Sequence, residues 1–207
     1  MSTYSLNRAK YGTHMILSGL VGSNKKVLDV GCSEGFLADC SAGNKNVFYG
    51  IDCDKSALQI AKSKYHKIFE ADLNAVGQLP ELPADFDIVV FADILEHLRD
   101  PSVVLKHFIN TSLKKGGTVL ISLPNVAHYS VRASLLFGGF VYTDSGILDK
   151  GHLHLYTLLT AKRFVESAGL KVRSVHFSSN IFGPLIRILP MLGPILGFNL
   201  ILECQRY

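Results

Sequence analysis

Apolar positions in this chain fall into short solid runs separated by stretches with helical spacing, the rhythm of strands buried on both faces alternating with helices. From Tyr11 to Leu20 the apolar residues recur at helical intervals and stop at Gly22-Ser23-Asn24. Residues 1–24, Tyr4 included, are therefore expected to form a helical cover leading into the first strand. The run Lys26-Val27-Leu28-Asp29-Val30 reads as that strand, and Gly31-Cys32-Ser33-Glu34-Gly35 as a tight turn into a short helix over residues 36–40. A second apolar strand, residues 47–52, ends on Asp52; Asp54 caps a helix over 57–65, and a third strand runs over 67–73. Residues 86–93 form the fourth, most apolar strand. Asp100-Pro101 caps a helix over 102–113 that Lys114-Lys115-Gly116-Gly117 ends, and residues 118–123 form a fifth strand closed by Pro124-Asn125. Beyond an irregular segment, 126–156, come a helix over 157–168 with Gly169 as its cap and two strands, 171–178 and 198–205, expected to pair as an antiparallel edge. Alternation of this kind predicts an α/β chain with a doubly wound, mostly parallel sheet sandwiched between helices.

Composition changes this picture little. The 207 residues suit a single domain, and 48% hydrophobic with 18% charged residues exclude a disordered chain. A net charge of +4 comes from scattered lysines and arginines, so no nucleic-acid partner is expected. The four cysteines, Cys32, Cys40, Cys53 and Cys204, form no C-x-x-C pair, and no secretory leader is read at the start. Reduced thiols and a cytoplasmic location are the expectation.

The candidate chemistry gathers at strand ends. Gly31 and Gly35 lack Cβ atoms, which would let a ligand lie against bare backbone. Their spacing is not the G-x-G-x-x-G that brings a pyrophosphate to a helix N-terminus, and the neighbouring acids Asp29 and Glu34 suit a cationic ligand better than a phosphate.

The stretch "LDVGCSEGFLA" resembles the first motif of the class I S-adenosylmethionine (SAM)-dependent methyltransferases, with Ser33 standing where the middle glycine usually is. That resemblance implies a Rossmann-like fold with a seven-stranded sheet whose last strand is antiparallel, a single methyltransferase domain over residues 1–207, and SAM as cofactor. It implies that Asp29, Gly31 and Gly35 shape the pocket for the methionine portion and that Asp72 and Leu73 hold the adenine. Asp52, about 20 residues beyond the turn, is the ribose ligand; NAD carries the same ribose, and it is the glycine spacing that favours SAM. Cys32, Cys53, Ala92 and Asp93 are counted with them as cofactor-binding. Asp93-x-x-Glu96-His97 is close to a signature of small-molecule methyltransferases, and "SLPNVAHYSVRASLLFGGFVYTDSGILDKGHLHLYT" is similar to methyltransferases near the MetW-like and the sugar- or quinone-modifying groups. The implied acceptor is a small molecule with an oxygen or nitrogen nucleophile, sugar, quinone or lipid-like, met by the insertion at 126–156.

Methyl transfer from a sulfonium is an in-line displacement, so the protein must align the acceptor and, for a hydroxyl or ammonium, take a proton. Histidine is the natural base. His128 is preferred because it follows the fifth strand; His97 and His152 are the other assigned candidates, with His154 beside them. Tyr11 and His14 are read first as packing on the sheet, with a place facing the pocket as the alternative. No residue is assigned to a metal. The alternative is metal-assisted transfer, with Asp93, Glu96 and His97 on one helical face and His152-x-His154 opposite, an arrangement similar to small-RNA 2′-O-methyltransferases.

Residues 180–197 are strongly apolar, yet three prolines, several glycines and Arg187 oppose a membrane-spanning helix. A lid over the acceptor, a homodimer contact and a peripheral membrane patch through 181–197 are expected in that order. Two other functions stand as alternatives: a non-catalytic SAM-binding partner protein of MetW-like type, and a NAD-dependent oxidoreductase.

Overall fold

The computed structural model describes residues 9–206. The first eight residues of the expected N-terminal cover, Tyr4 among them, lie outside the described residues.

Helix α1 (Thr13–Val21) precedes strand β1 (Lys26–Val30), which turns into α2 (Phe36–Cys40); β2 (Val47–Asp52), α3 (Lys55–Ala61), β3 (Lys67–Glu70) and β4 (Phe86–Ala92) follow. Then come α4 (Pro101–Thr111), β5 (Leu113–Pro124), α5 (Tyr129–Leu136), α6 (Leu158–Ser167), β6 (Leu170–Ser178), the short helices α7 (Gly183–Ile188) and α8 (Gly193–Leu196), and β7 (Asn199–Arg206). All seven strands join one sheet in the order β3-β2-β1-β4-β5-β7-β6. Neighbours from β3 to β5 pair parallel; β7 runs antiparallel to both β5 and β6. This is the expected Rossmann-like α/β fold with an antiparallel last strand. Its strand order reverses between β1 and β4, where ligand crevices form in doubly wound sheets.

Period-two alternation sorts each central strand onto two cores. Val27, Ile88, Val90, Leu120 and Ile201 face Leu17 and Val21 of α1 and Leu37 of α2. Leu28, Val30, Val89, Phe91 and Ile121 face Leu105 and Phe108 of α4 and Val165 of α6. Asp29 shares the face of Val27, so a carboxyl is carried into the sheet interior with 2% of its surface exposed.

One sequence expectation is corrected. The Lys114-Gly117 stretch does not simply end a helix: β5 begins already at Leu113, which pairs with Phe86, and an irregular register follows before Thr118 meets Ile88. Leu113 buries its side chain, and that keeps the segment on the sheet. The apolar 180–197 stretch, expected as a lid or interface segment, forms short helices packed down on the domain: a Cβ on Gly193 would meet the Phe177 ring at 2.2 Å, and one on Gly183 would meet Tyr11 at 2.3 Å. Asn125, fully buried, donates from its amide to the carbonyls of Pro194 (3.1 Å) and Gly197 (2.8 Å) and so fastens α8 to the end of β5. Among the described residues no helix is long and apolar enough to cross a membrane.

Candidate functional site

At the carboxyl ends of β1, β2 and β4 the chain encloses a cavity of about 240 Å³ whose lining includes Asp29, Gly31, Cys32, Asp52, Ala92 and Asp93. Six of the ten residues assigned to the cofactor from sequence meet here. Gly35, Cys53, Asp72 and Leu73 do not line it. Asp72 is exposed and accepts from the Asn74 backbone N–H at 2.9 Å, Leu73 is buried in the core, and Cys53 is exposed. Cys53 keeps an electrostatic link to the cleft, since Asp52 and Asp72, after burial, push its thiol up.

The turn after β1 has left-handed backbone at Gly31 (φ 78°), Ser33 (φ 45°) and Gly35 (φ 83°). The two glycines do more than expose backbone. A Cβ on Gly31 would stand 2.6 Å from Ile94, and one on Gly35 would stand 2.7 Å from the Tyr65 ring, so both let neighbouring side chains close in behind the turn. Ser33 takes the third left-handed position, and its N–H donates to Asp52 Oδ2 at 2.8 Å. Asp54 N–H donates to Asp52 Oδ1 at 3.0 Å. These two bonds hold the Asp52 carboxylate still at the cleft wall and leave a lone pair on each oxygen for a ligand.

Asp29 is held differently. The Tyr65 hydroxyl donates to its Oδ2 at 2.6 Å, while Oδ1 is buried with no hydrogen-bond partner. Burial is the largest influence on this carboxyl and raises it to about 7; the Tyr65 bond opposes the rise and the Asp52 charge adds to it. An acid so placed gains most from a cationic hydrogen-bond donor.

A second cavity, about 480 Å³, adjoins the first. His14 and Asp93 belong to the walls of both, and Tyr129, Phe182 and Phe198 give the larger one an aromatic side. His14 therefore borders both cavities, the placement that the sequence reading ranked second to packing. Its ring does pack, edge-on to Phe36 at 5.7 Å, but a helical phase could not tell which part of the buried face would border a cavity. Burial lowers its pKa from 6.5, with Asp93 opposing. Asp93, at φ 51°, accepts from Ser122 Oγ at 2.7 Å and Asn199 Nδ2 at 2.6 Å.

His128 lines the larger cavity as the N-cap of α5, its Nδ1 accepting from the Ser130 N–H at 3.4 Å. The Ser130 hydroxyl lies closer to the same nitrogen, at 2.8 Å, and which ring nitrogen carries the proton depends on the tautomer. Burial also lowers its pKa. The expected helical face of Asp93, Glu96 and His97 is absent: residues 95–97 form a single tight 3-10 turn and Asp93 points back to Ser122 and Asn199. Glu96, His97 and His152 instead draw together, one ligand atom of each within 4.8 Å of the others, and His97 also lines the smaller cavity. His154 lies outside this group, its ring against Tyr156.

Comparison with known proteins places this arrangement. A family model described as a methyltransferase domain matches residues 13–175. The ubiquinone biosynthesis O-methyltransferase of Thiobacillus denitrificans is 35% identical over 111 residues, 50% of this chain and 46% of that protein. The protein of the same name from Idiomarina loihiensis is 31% identical over 176 residues, 81% of this chain and 68% of its own length. The chain thus spans about half the length of several curated relatives it matches and about two thirds of others. Among solved structures, magnesium protoporphyrin IX methyltransferase from Synechocystis PCC 6803 with bound S-adenosylhomocysteine shares the fold at a TM-score of 0.62 and 16% identity, over 93% of this chain and 78% of that one. With the family model spanning most of its length, including β1 through α6, the chain belongs to the methyltransferase domain family.

Proposed function

We propose that this chain is a SAM-dependent methyltransferase acting on a hydroxyl of a small, largely apolar, quinol-like acceptor. One observation carries the reading: an acid-lined cleft at the strand ends, with an unpartnered buried oxygen on Asp29, opens past His14 and Asp93 into a larger aromatic-walled cavity. The names of the O-methyltransferase relatives support the hydroxyl and the quinol-like ring.

The residues fit the cofactor by their chemistry. Asp29 is suited to the cofactor's ammonium and Asp52 to its ribose diol, with Gly31, Cys32 and Ala92 as the walls. Gly35 supports the turn from behind, and Cys53, Asp72 and Leu73 continue the site toward the adenine. When bound, SAM supplies an electrophilic methyl group on a sulfonium. The chain's own part is to hold the acceptor ring among Tyr129, Phe182 and Phe198, to exclude water, and to take the hydroxyl proton. His14 is the base of this reading, since it borders both cavities. His128 serves as an aromatic wall and a helix cap.

Calorimetric titration with S-adenosylhomocysteine and with NAD tests the cofactor. Binding of the first alone is expected. Binding of NAD alone would return the chain to the oxidoreductases. Transfer of labelled methyl from SAM to a catechol or quinol then separates an enzyme from a partner protein that only binds the cofactor.

A further inference from the structure

The cluster of Glu96, His97 and His152 presents lone pairs with nothing to receive them. Glu96 has 1% of its surface exposed, and neither of its carboxylate oxygens has a hydrogen-bond partner. His97 Nδ1 lies 3.1 Å from the Gly151 carbonyl, and His152 Nδ1 lies 3.0 Å from the Ile147 carbonyl. A carbonyl only accepts, so each ring must donate from Nδ1, and the neutral ring then keeps a bare lone pair on Nε2. Backbone carbonyls that fix the tautomer in this way are the usual outer partners of metal-binding histidines.

The three ligand atoms all lie within 4.8 Å of one another, yet neither Glu96 oxygen makes a hydrogen bond. Ligand atoms around a tetrahedral ion with metal–ligand lengths near 2.1 Å stand about 3.4 Å apart, so a contraction of roughly an ångström at most closes the group on a dication. The frame for it is already built. The N–H groups of Leu153 and His154 both donate to the Glu96 carbonyl, at 2.8 and 3.2 Å, and the His97 and His152 rings meet edge to face at 4.7 Å between centroids. A Cβ on Gly151 would stand 3.1 Å from Asp149 Oδ1 and 3.2 Å from His97 Nδ1, so the glycine lets the loop follow the ring closely there.

We propose that Glu96, His97 and His152 bind a first-row transition-metal dication in the wall of the cofactor cleft, with open coordination positions for an oxygen of the acceptor. Two imidazoles and a carboxylate favour zinc, cobalt or manganese over magnesium and calcium, which want oxygen ligands. Three protein ligands leave at least one position open, and His97 already lines the cleft. A hydroxyl bound there gives up its proton more readily, and that proton goes to His14. This role rests on the methyltransferase reading; the ion site itself does not.

The test is titration of chelator-treated protein with cobalt(II), followed by calorimetry and visible absorption, for the wild type, Glu96→Gln and His152→Ala. One equivalent with a d–d band is expected in the wild type, with affinity at least about 100-fold weaker in both variants. Magnesium is expected to compete poorly. Catechol, a two-oxygen probe, should shift the cobalt band. Absence of stoichiometric binding, or equal binding by wild type and variants with unchanged circular dichroism, overturns the site; a band indifferent to catechol overturns its role toward the acceptor. S-adenosylhomocysteine titrated into the metal-free protein reads the other claim separately. Its binding without cobalt uptake sinks only the ion, and cobalt uptake without its binding sinks only the methyltransferase reading.

Discussion

Tyr65 and Asp29 are joined by a 2.6 Å hydrogen bond inside the sheet, and that bond engages only the Asp29 oxygen turned from the free one at the cleft. Since the folded carboxyl titrates at about 7 against an ordinary 3.8, the unfolded chain ionises first as pH rises. Stability of the ligand-free protein should therefore fall between pH 3.8 and about 7 and level off above, and Asp29→Asn should flatten that slope in urea unfolding measured across the range. Ligand binding follows the opposite sense. S-adenosylhomocysteine should bind more weakly as pH falls through about 7. At pH 8 Asp29→Asn should lose roughly 10- to 100-fold in affinity, the worth of a charged hydrogen bond.

Replacing Gly31 with alanine tests the turn. Its Cβ would collide with Ile94 at 2.6 Å on a backbone with φ 78°, so a loss of about 2–4 kcal/mol in chemical denaturation is expected. Adding Ile94→Ala should return only part of it, because the collision is relieved and the left-handed strain is not.

The histidines separate by role. His14→Asn should lower the rate of methyl transfer by 10²- to 10⁴-fold, the usual worth of a general base, with little change in S-adenosylhomocysteine affinity. Burial holds His14 below 6.5, so the acid limb of kcat/KM in the wild type should fall below pH 6.5. His128→Asn, which keeps a capping side chain, should leave that limb in place; His128→Ala should cost about 1 kcal/mol of stability.

Asn125 offers the fourth test. Asn125→Ala strands the Pro194 and Gly197 carbonyls without their donor, which should cost about 2–4 kcal/mol and speed hydrogen exchange in α8 before the rest of the molecule.

The strands and the acids at their ends were legible because each strand is a solid apolar run whose terminal carboxyl breaks the pattern; Asp29 and Asp52 stand out on that ground alone. What the pattern could not carry was direction within a buried face. His14 sits among the apolar positions of α1, and only the curvature of the sheet decides that it meets two cavities. Glu96 and His152 are 56 positions apart and meet because a loop folds back to bond the Glu96 carbonyl. The glycines were read for a ligand, while their missing Cβ atoms also serve Ile94 and Tyr65, contacts visible only once α3 and the turn after β4 are in place. His128 lines the larger cavity after β5, and its second role, capping α5 through Nδ1, depends on a loop geometry that the pattern does not carry.

The strand order also sets a sequence of events during synthesis. β5 and β6 each pair with β7 and not with one another, so a nascent chain that has extruded everything through residue 198 carries two unpaired sheet edges. The cofactor half is built on β1, β2 and β4, which pair with one another, but Asp93 in its wall is held by Ser122 of β5 and Asn199 of β7. The acceptor half needs Phe198 and Asn199 in its wall. A chain cut short before residue 199 would thus pair its cofactor strands yet leave Asp93 without its Asn199 donor and the acceptor unenclosed, with its open edges exposed to other chains and to proteases.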